Sequence, residues 1–276
     1  MASVIKGLSK LCIHTQTTKP WSLQECVTNY SKAGVKAITI WRNVLEGINL
    51  NEAKKILDDA DMKVVSLCRG GFFPSVDSKR RNEAIDDNLL AIEQAAAIGA
   101  PLIVLVCGSD SRQPLETSRE QIKEGILKIL PAAEAAGVKL AIEPLHPMYA
   151  ADRSAVNTLQ QATDMADEIG SPFVGVALDV YHLWWDNNLE REIKRCGHNG
   201  HLFAFHICDW KVPTTDMLLD RGMMGEGCVN IRQIRGWVED TGFTGFNEVE
   251  IFSSTYWEQD QEQLLHKVIN AYLHHS

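Results

Sequence analysis

The sequence lacks several patterns that define common protein classes. The longest apolar stretches of the 276 residues are far shorter than the roughly 20 residues that a membrane-spanning helix needs. The first residues contain no apolar segment of signal-peptide length. Lysine and arginine number 27 against 36 acidic residues, and the net charge of −9 gives no diffuse field that attracts nucleic acid. We therefore expect a soluble protein that binds neither a membrane nor nucleic acid.

Cysteine usage argues against a disulfide framework. The chain has seven cysteines, an odd number; no two are spaced C-x-x-C, and several lie in apolar runs such as IVLVCG. Buried free thiols in a reducing compartment are the simpler interpretation of such a pattern. We therefore predict a cytoplasmic protein with no structural zinc site built from cysteines.

A regular alternation of short β-rich runs and longer amphipathic segments extends along the whole chain. The predicted strands cover residues 11–15, 35–41, 62–68, 101–108, 138–144, 173–182, 201–207 and 244–252. The predicted helices cover 22–32, 49 or 51 to 61, 79–98, 118–136, 155–169, 189–197, 230–240 and 260–273. Strict alternation of this kind implies parallel strands that are joined by helical crossovers.

Eight strand-and-helix units predict a single (β/α)₈ TIM barrel, an α/β fold, over residues 1–276. The competing architecture is a doubly wound open sheet. Its nucleotide-binding forms lose support because no G-x-G-x-x-G follows the first strand and no phosphate-binding loop motif occurs. No segment is rich enough in proline, glycine and serine to act as a linker between domains.

Residues that can bind a metal end four consecutive predicted strands. In chain order they are Glu143, Asp179, His206 and Glu250. Barrel active sites lie at this end of the strands, and three carboxylates that converge there repel one another unless a cation is present. Oxygen ligands with one imidazole suit Mn²⁺ best, with Mg²⁺, Co²⁺ and Zn²⁺ as alternatives. Glu248 has the same strand parity as Glu250 and is the alternative ligand, but Glu250 lies nearer the loop.

Five short runs carry a resemblance to a known family. They are IEPLHP, LDVYHLWWD, FHICDW, RGMMGEG and VEIFS. In this order they resemble the xylose isomerase-like superfamily of sugar phosphate isomerases and epimerases. Its members include ketose 3-epimerases, inosose isomerases and dehydratases, and apurinic-site endonucleases. The resemblance covers most of the chain, is strongest over residues 138–257, and is specific for the superfamily rather than for one substrate.

The resemblance implies a function and a set of site residues. In similar ketose epimerases one Mn²⁺ is held by residues that correspond to Glu143, Asp179, His206 and Glu250. Glu143 and Glu250 are then also the catalytic residues, which move protons on opposite faces of the substrate through a metal-stabilised enediolate. The resemblance further implies that His182 and Arg221 bind substrate, although Arg221 is unusually far along the chain from His206. The expected activity is isomerisation or epimerisation of a sugar, keto sugar or inosose.

His146 departs from the ketose epimerase pattern and suggests a second reaction. It lies between Pro144 and Pro147, which stiffen the loop, and an imidazole is a good general base near neutral pH. A histidine here resembles the metal-dependent C-glycoside deglycosidases, which act on 3-keto sugars together with a second subunit. His146 is therefore a candidate catalytic residue of a lyase, either such a deglycosidase or an inosose dehydratase. Its structural alternative is a histidine that donates a hydrogen bond to a backbone carbonyl.

Residues at or after the ends of the first three predicted strands are further candidates for the pocket. They are His14 and Trp41, which we predict to bind substrate, and also Arg42, Arg69, Phe72 and Phe73. Aromatic rings often pack against a sugar face, although any one of them is also a candidate for the core. No glycine-rich phosphate cup is evident in the last two loops, so a neutral sugar is slightly favoured over a phosphorylated one.

Two other functions are weaker alternatives, and the sequence also leads to expectations about binding partners. An apurinic-site endonuclease needs more histidine and aspartate ligands, for three zinc ions, and a basic groove that a charge of −9 does not favour. A barrel that binds without catalysis is the remaining alternative. The partner we expect is a small sugar or keto sugar. We predict a homo-oligomer, or a hetero-oligomer with a second subunit in the deglycosidase case.

Overall fold

Eight parallel strands form the centre of the computed structural model, which describes residues 4–276. They are β1 (Leu11–His14), β2 (Ala37–Trp41), β3 (Lys63–Gly71), β4 (Leu102–Val106), β5 (Lys139–Glu143), β6 (Val174–Asp179), β7 (Leu202–Ile207) and β10 (Asn247–Val249). Each strand pairs in parallel with the next, and β10 pairs with β1, so the sheet closes. The predicted (β/α)₈ barrel is confirmed, and residues 1–3 of the predicted domain lie outside the described part.

A separate two-stranded antiparallel sheet is formed by the segment of chain that connects the last two strands of the barrel, β7 and β10. It pairs β8 (Asp209–Trp210) with β9 (Arg221–Gly222), and Trp210 is the partner of Arg221. The hairpin occupies part of the long segment that connects β7 to the last crossover helix. The hairpin therefore brings Arg221, which is distant in sequence from β7, back to the end of that strand.

The helices follow the strands as the alternation predicts. They are α1 (Leu23–Lys32), α2 (Leu50–Asp59), α3 (Ser78–Ile98), α4 (Leu115–Ala136), α5 (Leu159–Ile169), α6 (Val180–Leu183), α7 (Leu189–His198), α8 (Ile231–Asp240), α9 (Ser254–Trp257) and α10 (Gln261–His275). Ser22 caps α1 in a capping box with Glu25, and Asn230 and Asp260 cap α8 and α10. None of the described helices has the length and apolar character that a membrane span requires.

Two helix starts differ from the predicted ones. Helix α4 begins at Leu115 rather than Ser118, because Pro114 sets the backbone for the first turn three residues earlier. Helix α5 begins at Leu159 rather than at residue 155. The residues before it are held in a loop, since the Ala155 amide donates to the Gly108 carbonyl and Val156 accepts from the Leu145 amide. Thr158 then caps the helix.

The last barrel strand is shorter than the predicted run 244–252. Only Asn247–Val249 pair with the neighbouring strands, and the chain then leaves the sheet at Glu250. The amide of Glu250 still donates to the Ile207 carbonyl at 3.2 Å, which holds this residue beside the end of β7. Glu250 is therefore fixed at the C-terminal rim although it lies outside the strand.

Apolar residues form one layer outside the barrel and another inside it. The outer layer packs the strands against the helices and includes Ile13, Ile40 and Ile142. The inner layer is smaller and includes three alanines, one each from β5, β6 and β7. All seven cysteines are free thiols, and six of them are buried, as the sequence predicts.

Candidate metal centre and active-site cavity

Strand parity directs the predicted ligands into the barrel. Ala141 of β5 faces the interior, and Glu143 faces the same way because side chains two positions apart share a face. Asp179 and His206 stand in the same relation to inward-facing alanines of β6 and β7. Glu250 joins them from the residue after β10. Small residues beneath these side chains leave the upper part of the interior to polar groups.

The four predicted ligands form one buried group. One donor atom from each of Glu143, Asp179, His206 and Glu250 lies within 4.8 Å of the others. The Oε1 atom of Glu143 and both ring nitrogens of His206 are buried and have no hydrogen-bond partner among the described residues. Unpaired buried polar atoms cost roughly 1–3 kcal/mol each. The donor set and its unsatisfied atoms therefore fit a divalent cation with oxygen and nitrogen ligands.

Glu248 lies in a neighbouring position beneath this group. Its Oε2 atom accepts a hydrogen bond from Oγ1 of Thr39 at 2.6 Å and one from Oγ of Ser66 at 3.3 Å. It forms a possible donor cluster with His14 and His206, but with none of the three carboxylates of the four-residue group. Of the two glutamates, Glu250 is therefore the one that the structure places with the predicted ligands.

Burial and charge repulsion act strongly on the group. Burial raises the pKa of Asp179 to about 7 against the opposing effect of Arg221, and the carboxylates of Glu250 and Glu143 contribute to the rise. Burial lowers the pKa of His206, but the close carboxylate of Glu143, whose Oε1 lies 3.2 Å from Nδ1, and the other surrounding carboxylates outweigh it and raise the value to about 9. The site thus favours additional positive charge, which a divalent ion supplies.

Arg221 bridges two of the predicted ligand carboxylates. Its Nη1 atom donates to Oδ2 of Asp179 at 2.8 Å and to Oε2 of Glu250 at 2.9 Å. The β8–β9 hairpin explains its long separation from His206, because pairing with Trp210 returns the chain to the rim. Arg221 is fully inside the site rather than an exposed loop charge.

The other residues predicted to bind substrate occupy different places. His182 and Trp41 line the cavity beside the ligands, and Nδ1 of His182 has no hydrogen-bond partner among the described residues. His14 does not line this cavity; its Nδ1 lies 3.0 Å from Oε1 of Glu250 and its Nε2 lies 3.4 Å from Glu248. Burial lowers the pKa of His14, but the two glutamates outweigh it and raise it to about 9. His14 is thus placed to hold Glu250 in position.

His146 is placed outside the cavity in an aromatic cluster. Its ring stacks on Trp210 at 5.3 Å between centroids and meets the edge of Trp185 at 5.7 Å. Its Nδ1 accepts a hydrogen bond from the amide of Met148 at 3.2 Å, and burial lowers its pKa. The structure therefore gives His146 packing and backbone contacts, and its catalytic role stays a prediction.

The cavity beside the ligands has a volume of about 130 Å³. It is lined by Glu143, Glu250, His182 and Arg221, by the rings of Trp41, Tyr149 and Phe252, and by Arg69 and Arg153. Sequence reasoning named Arg69 as a candidate but missed Arg153. Arg153 lies in the long loop after β5, where its carbonyl accepts from the amide of Gly108. The only sequence feature that could have indicated Arg153 is its charge, in a loop that follows a barrel strand.

A larger cavity of about 660 Å³ lies at the other end of the barrel. Its lining includes Lys63 and Lys139, the first residues of β3 and β5, and Phe246, which precedes β10. It contains none of the predicted ligands. Because barrel chemistry takes place at the C-terminal rim, the smaller cavity is the candidate active site.

Comparison with known proteins defines the class of this chain. Residues 27–270 match the xylose isomerase-like TIM barrel family, and the chain belongs to that family. The inosose isomerase of Halalkalibacterium halodurans is 24% identical over 273 residues, covering 93% of this chain and 92% of its own. The inosose isomerase of Bacillus subtilis is 27% identical over 206 residues, covering 70% and 69%. These similarities support an enzyme of the sugar isomerase and epimerase kind.

Solved structures show the same barrel. A crystal structure of a protein from Sinorhizobium meliloti 1021 is 46% identical, with a TM-score of 0.93 over 96% of this chain and 98% of that one. The IolI protein, crystallised with a bound zinc atom, is 22% identical, with a TM-score of 0.84 over 96% of both chains. D-psicose 3-epimerase of Clostridium cellulolyticum H10, solved with D-tagatose, is 18% identical, with a TM-score of 0.78 over 95% and 96%. The last two establish likeness of fold alone.

Proposed function

We propose that this protein is a divalent-metal-dependent isomerase or epimerase of a sugar, keto sugar or inosose, which acts through an enediolate. The observation that carries the proposal is the buried convergence of four donor side chains within 4.8 Å, on the rim of a family barrel. The similarity to inosose isomerases supports the substrate class. Mn²⁺ is the ion we propose, with Zn²⁺, Mg²⁺ and Co²⁺ as alternatives.

The residues that would hold the ion are Glu143, Asp179, His206 and Glu250. When bound, the ion would polarise a substrate carbonyl and an adjacent hydroxyl and thereby acidify the C–H bond between them. The remaining chemistry belongs to side chains of the cavity, which remove and return a proton and hold the sugar in place.

Glu143 and Glu250 are the residues that would move the proton. They come from β5 and from the end of β10, with β6 and β7 between them in the barrel, so their carboxylates approach the cavity from different strands. If one carboxylate removes the proton and the other returns it, the configuration at the carbon is inverted. If the proton returns to the neighbouring carbon, the carbonyl moves and the reaction is isomerisation.

Other cavity residues would position the substrate. The buried Nδ1 of His182 lacks a hydrogen-bond partner among the described residues, and a substrate oxygen would satisfy it. Arg221 holds Asp179 and Glu250 in place through Nη1, and its buried Nε has no hydrogen-bond partner among the described residues. The rings of Trp41 and Phe252, in edge-to-face contact at 5.1 Å, form an apolar wall that excludes water.

A proton-exchange assay tests this function. The metal-loaded protein is incubated in D₂O with a panel of ketoses, inososes and 3-keto glycosides, and deuterium incorporation and product are followed by NMR. We expect exchange at the carbon next to the carbonyl of at least one compound, with loss of exchange after chelation of the metal. Exchange and turnover that survive complete removal of the metal would refute the proposal.

A further inference from the structure

Two arginines line the candidate active site without pairing closely to a carboxylate. Arg69 lies near the end of β3, and no ion pair involves it among the described residues. Arg153 has one carboxylate nearby, Asp152, at 4.0 Å from its Nε. That carboxylate is largely exposed to water, so the pair is weak.

Each arginine rests on an aromatic ring. The guanidinium carbon of Arg69 lies 4.1 Å from the centre of the Phe72 ring, and that of Arg153 lies 5.5 Å from the centre of the Tyr149 ring. A ring on the face of a guanidinium fixes its plane and leaves its N–H edges free. Those edges match the oxygens of a carboxylate or phosphate, which they bind in a bidentate manner.

The charge of the site leaves both arginines uncompensated. A divalent ion together with Arg221 would cancel the charge of the three predicted ligand carboxylates, and Glu248 lies against His14. The nearby carboxylate of Asp87 is bound by both Nη atoms of Arg42, at 2.7 and 2.8 Å. Burial lowers the pKa of Arg69, and the positive charge of Arg153 contributes to the decrease. This wall of the cavity is therefore electropositive in a chain that is acidic as a whole.

We propose that the substrate carries an anionic group, a carboxylate or a phosphate, which Arg69 and Arg153 bind. Its sugar carbons then face the metal-ligand group, that is Glu143, Asp179, His206 and Glu250. This inference rests on the proposed function and narrows it to an acidic or phosphorylated sugar. The absence of a glycine-rich phosphate cup, which favours a neutral sugar at the level of sequence, does not weigh against it. Guanidinium groups supply the donors that such a loop would otherwise provide.

Binding of three matched ketoses tests the inference. D-fructose, D-fructuronate and D-fructose 6-phosphate share a skeleton and differ in the group at the far end, which is neutral, a carboxylate or a phosphate. Binding to the metal-loaded protein is measured by calorimetry. We expect one of the two anions to bind at least tenfold more tightly than D-fructose, and the preferred anion distinguishes the two sources of charge. Equal binding of all three sugars would overturn the inference.

Variants assign the preference to the two arginines. Arg69→Gln and Arg153→Gln are each expected to remove most of the tenfold preference for the anion over D-fructose. Arg69→Lys keeps the positive charge but loses the paired N–H donors of the guanidinium group. It should therefore retain more of the anion preference than Arg69→Gln does. Arg191→Gln, a change of an arginine whose side chain is 68% exposed, is the matched control and should have no effect. Retained preference in folded Gln variants would overturn the inference.

The binding readout separates this inference from the proposed function. An anion preference that depends on Arg69, in a protein that catalyses no proton exchange on any sugar, would refute the proposed isomerase activity and support the anion site. Exchange on neutral sugars without any anion preference would support the activity and overturn the anion site.

Discussion

The two halves of the barrel carry different chemistry at the same rim. Strands β5, β6, β7 and β10 end in or next to the carboxylates and the imidazole of the metal-ligand group. The first half, β1 to β4, instead contributes His14, Trp41, Arg69 and Val106 at or near its strand ends. On the proposed function, the second half performs the proton chemistry, whereas the first half positions a ligand residue and, together with Arg153 from the second half, selects the substrate.

The largest effects are expected in the second half. Glu143→Gln and Glu250→Gln each remove a ligand charge and a proton-transfer group, and turnover should fall by about 10²–10⁴-fold. The measurement is steady-state turnover of the best substrate in the panel, with metal content determined on the same samples. Glu83→Gln, an exposed glutamate of α3, is the control and should leave both unchanged. Full turnover in both Glu143→Gln and Glu250→Gln would contradict the assignment of the proton chemistry to the second half of the barrel.

A smaller effect is expected where the first half supports the second. His14 contacts Glu250 and Glu248 but does not line the cavity, so His14→Gln should weaken metal affinity by about 10–100-fold, as outer-shell changes typically do. Competition with a chromophoric chelator measures this affinity directly. A change confined to KM, with the metal held as tightly as before, would show that His14 binds substrate instead.

The main effect expected at Trp41 is on substrate binding. Its ring lines the cavity and contacts Phe252 edge to face, and such contacts contribute about 0.5–1.5 kcal/mol. Trp41→Ala should therefore raise KM several-fold, and it should weaken metal affinity less than His14→Gln does, because Nε1 of Trp41 donates to Nδ1 of His14 at 3.2 Å. Trp41→Phe should retain most of the substrate affinity. A loss of metal in Trp41→Ala larger than that in His14→Gln would contradict the division between the two halves.

The smallest effect is expected at His146. Because its ring packs on Trp210 and Trp185 and does not line the cavity, His146→Ala should change turnover by less than about threefold. Any loss of packing should appear instead as a lower melting temperature. A near-complete loss of turnover in a folded His146→Ala protein would favour the lyase and its histidine base over the isomerase.

Much of the fold and the ligand group could be predicted from the sequence because both depend on local periodicity. Eight alternating units define the barrel, and parity places Glu143, Asp179 and His206 on its inner face. The helix caps at Ser22, Asn230 and Asp260 are equally local.

The remaining features depend on contacts between distant segments, which periodicity does not contain. The separation of Arg221 from His206 made its place ambiguous until the β8–β9 pairing was visible. Arg153 was missed because a backbone bond to Gly108 in the loop after β4 determines its position. The aromatic surroundings of His146 likewise come from another loop, through Trp210.

The central claim is that the rim of the second half holds a divalent ion. Its most direct test is elemental analysis of the purified, metal-reconstituted protein beside the Asp179→Asn, His206→Gln double variant, which lacks two of the four donors. We predict about one divalent ion per chain in the unaltered protein and a loss of most of it in the variant. The same metal content in both proteins, or none in the unaltered one, would contradict the account.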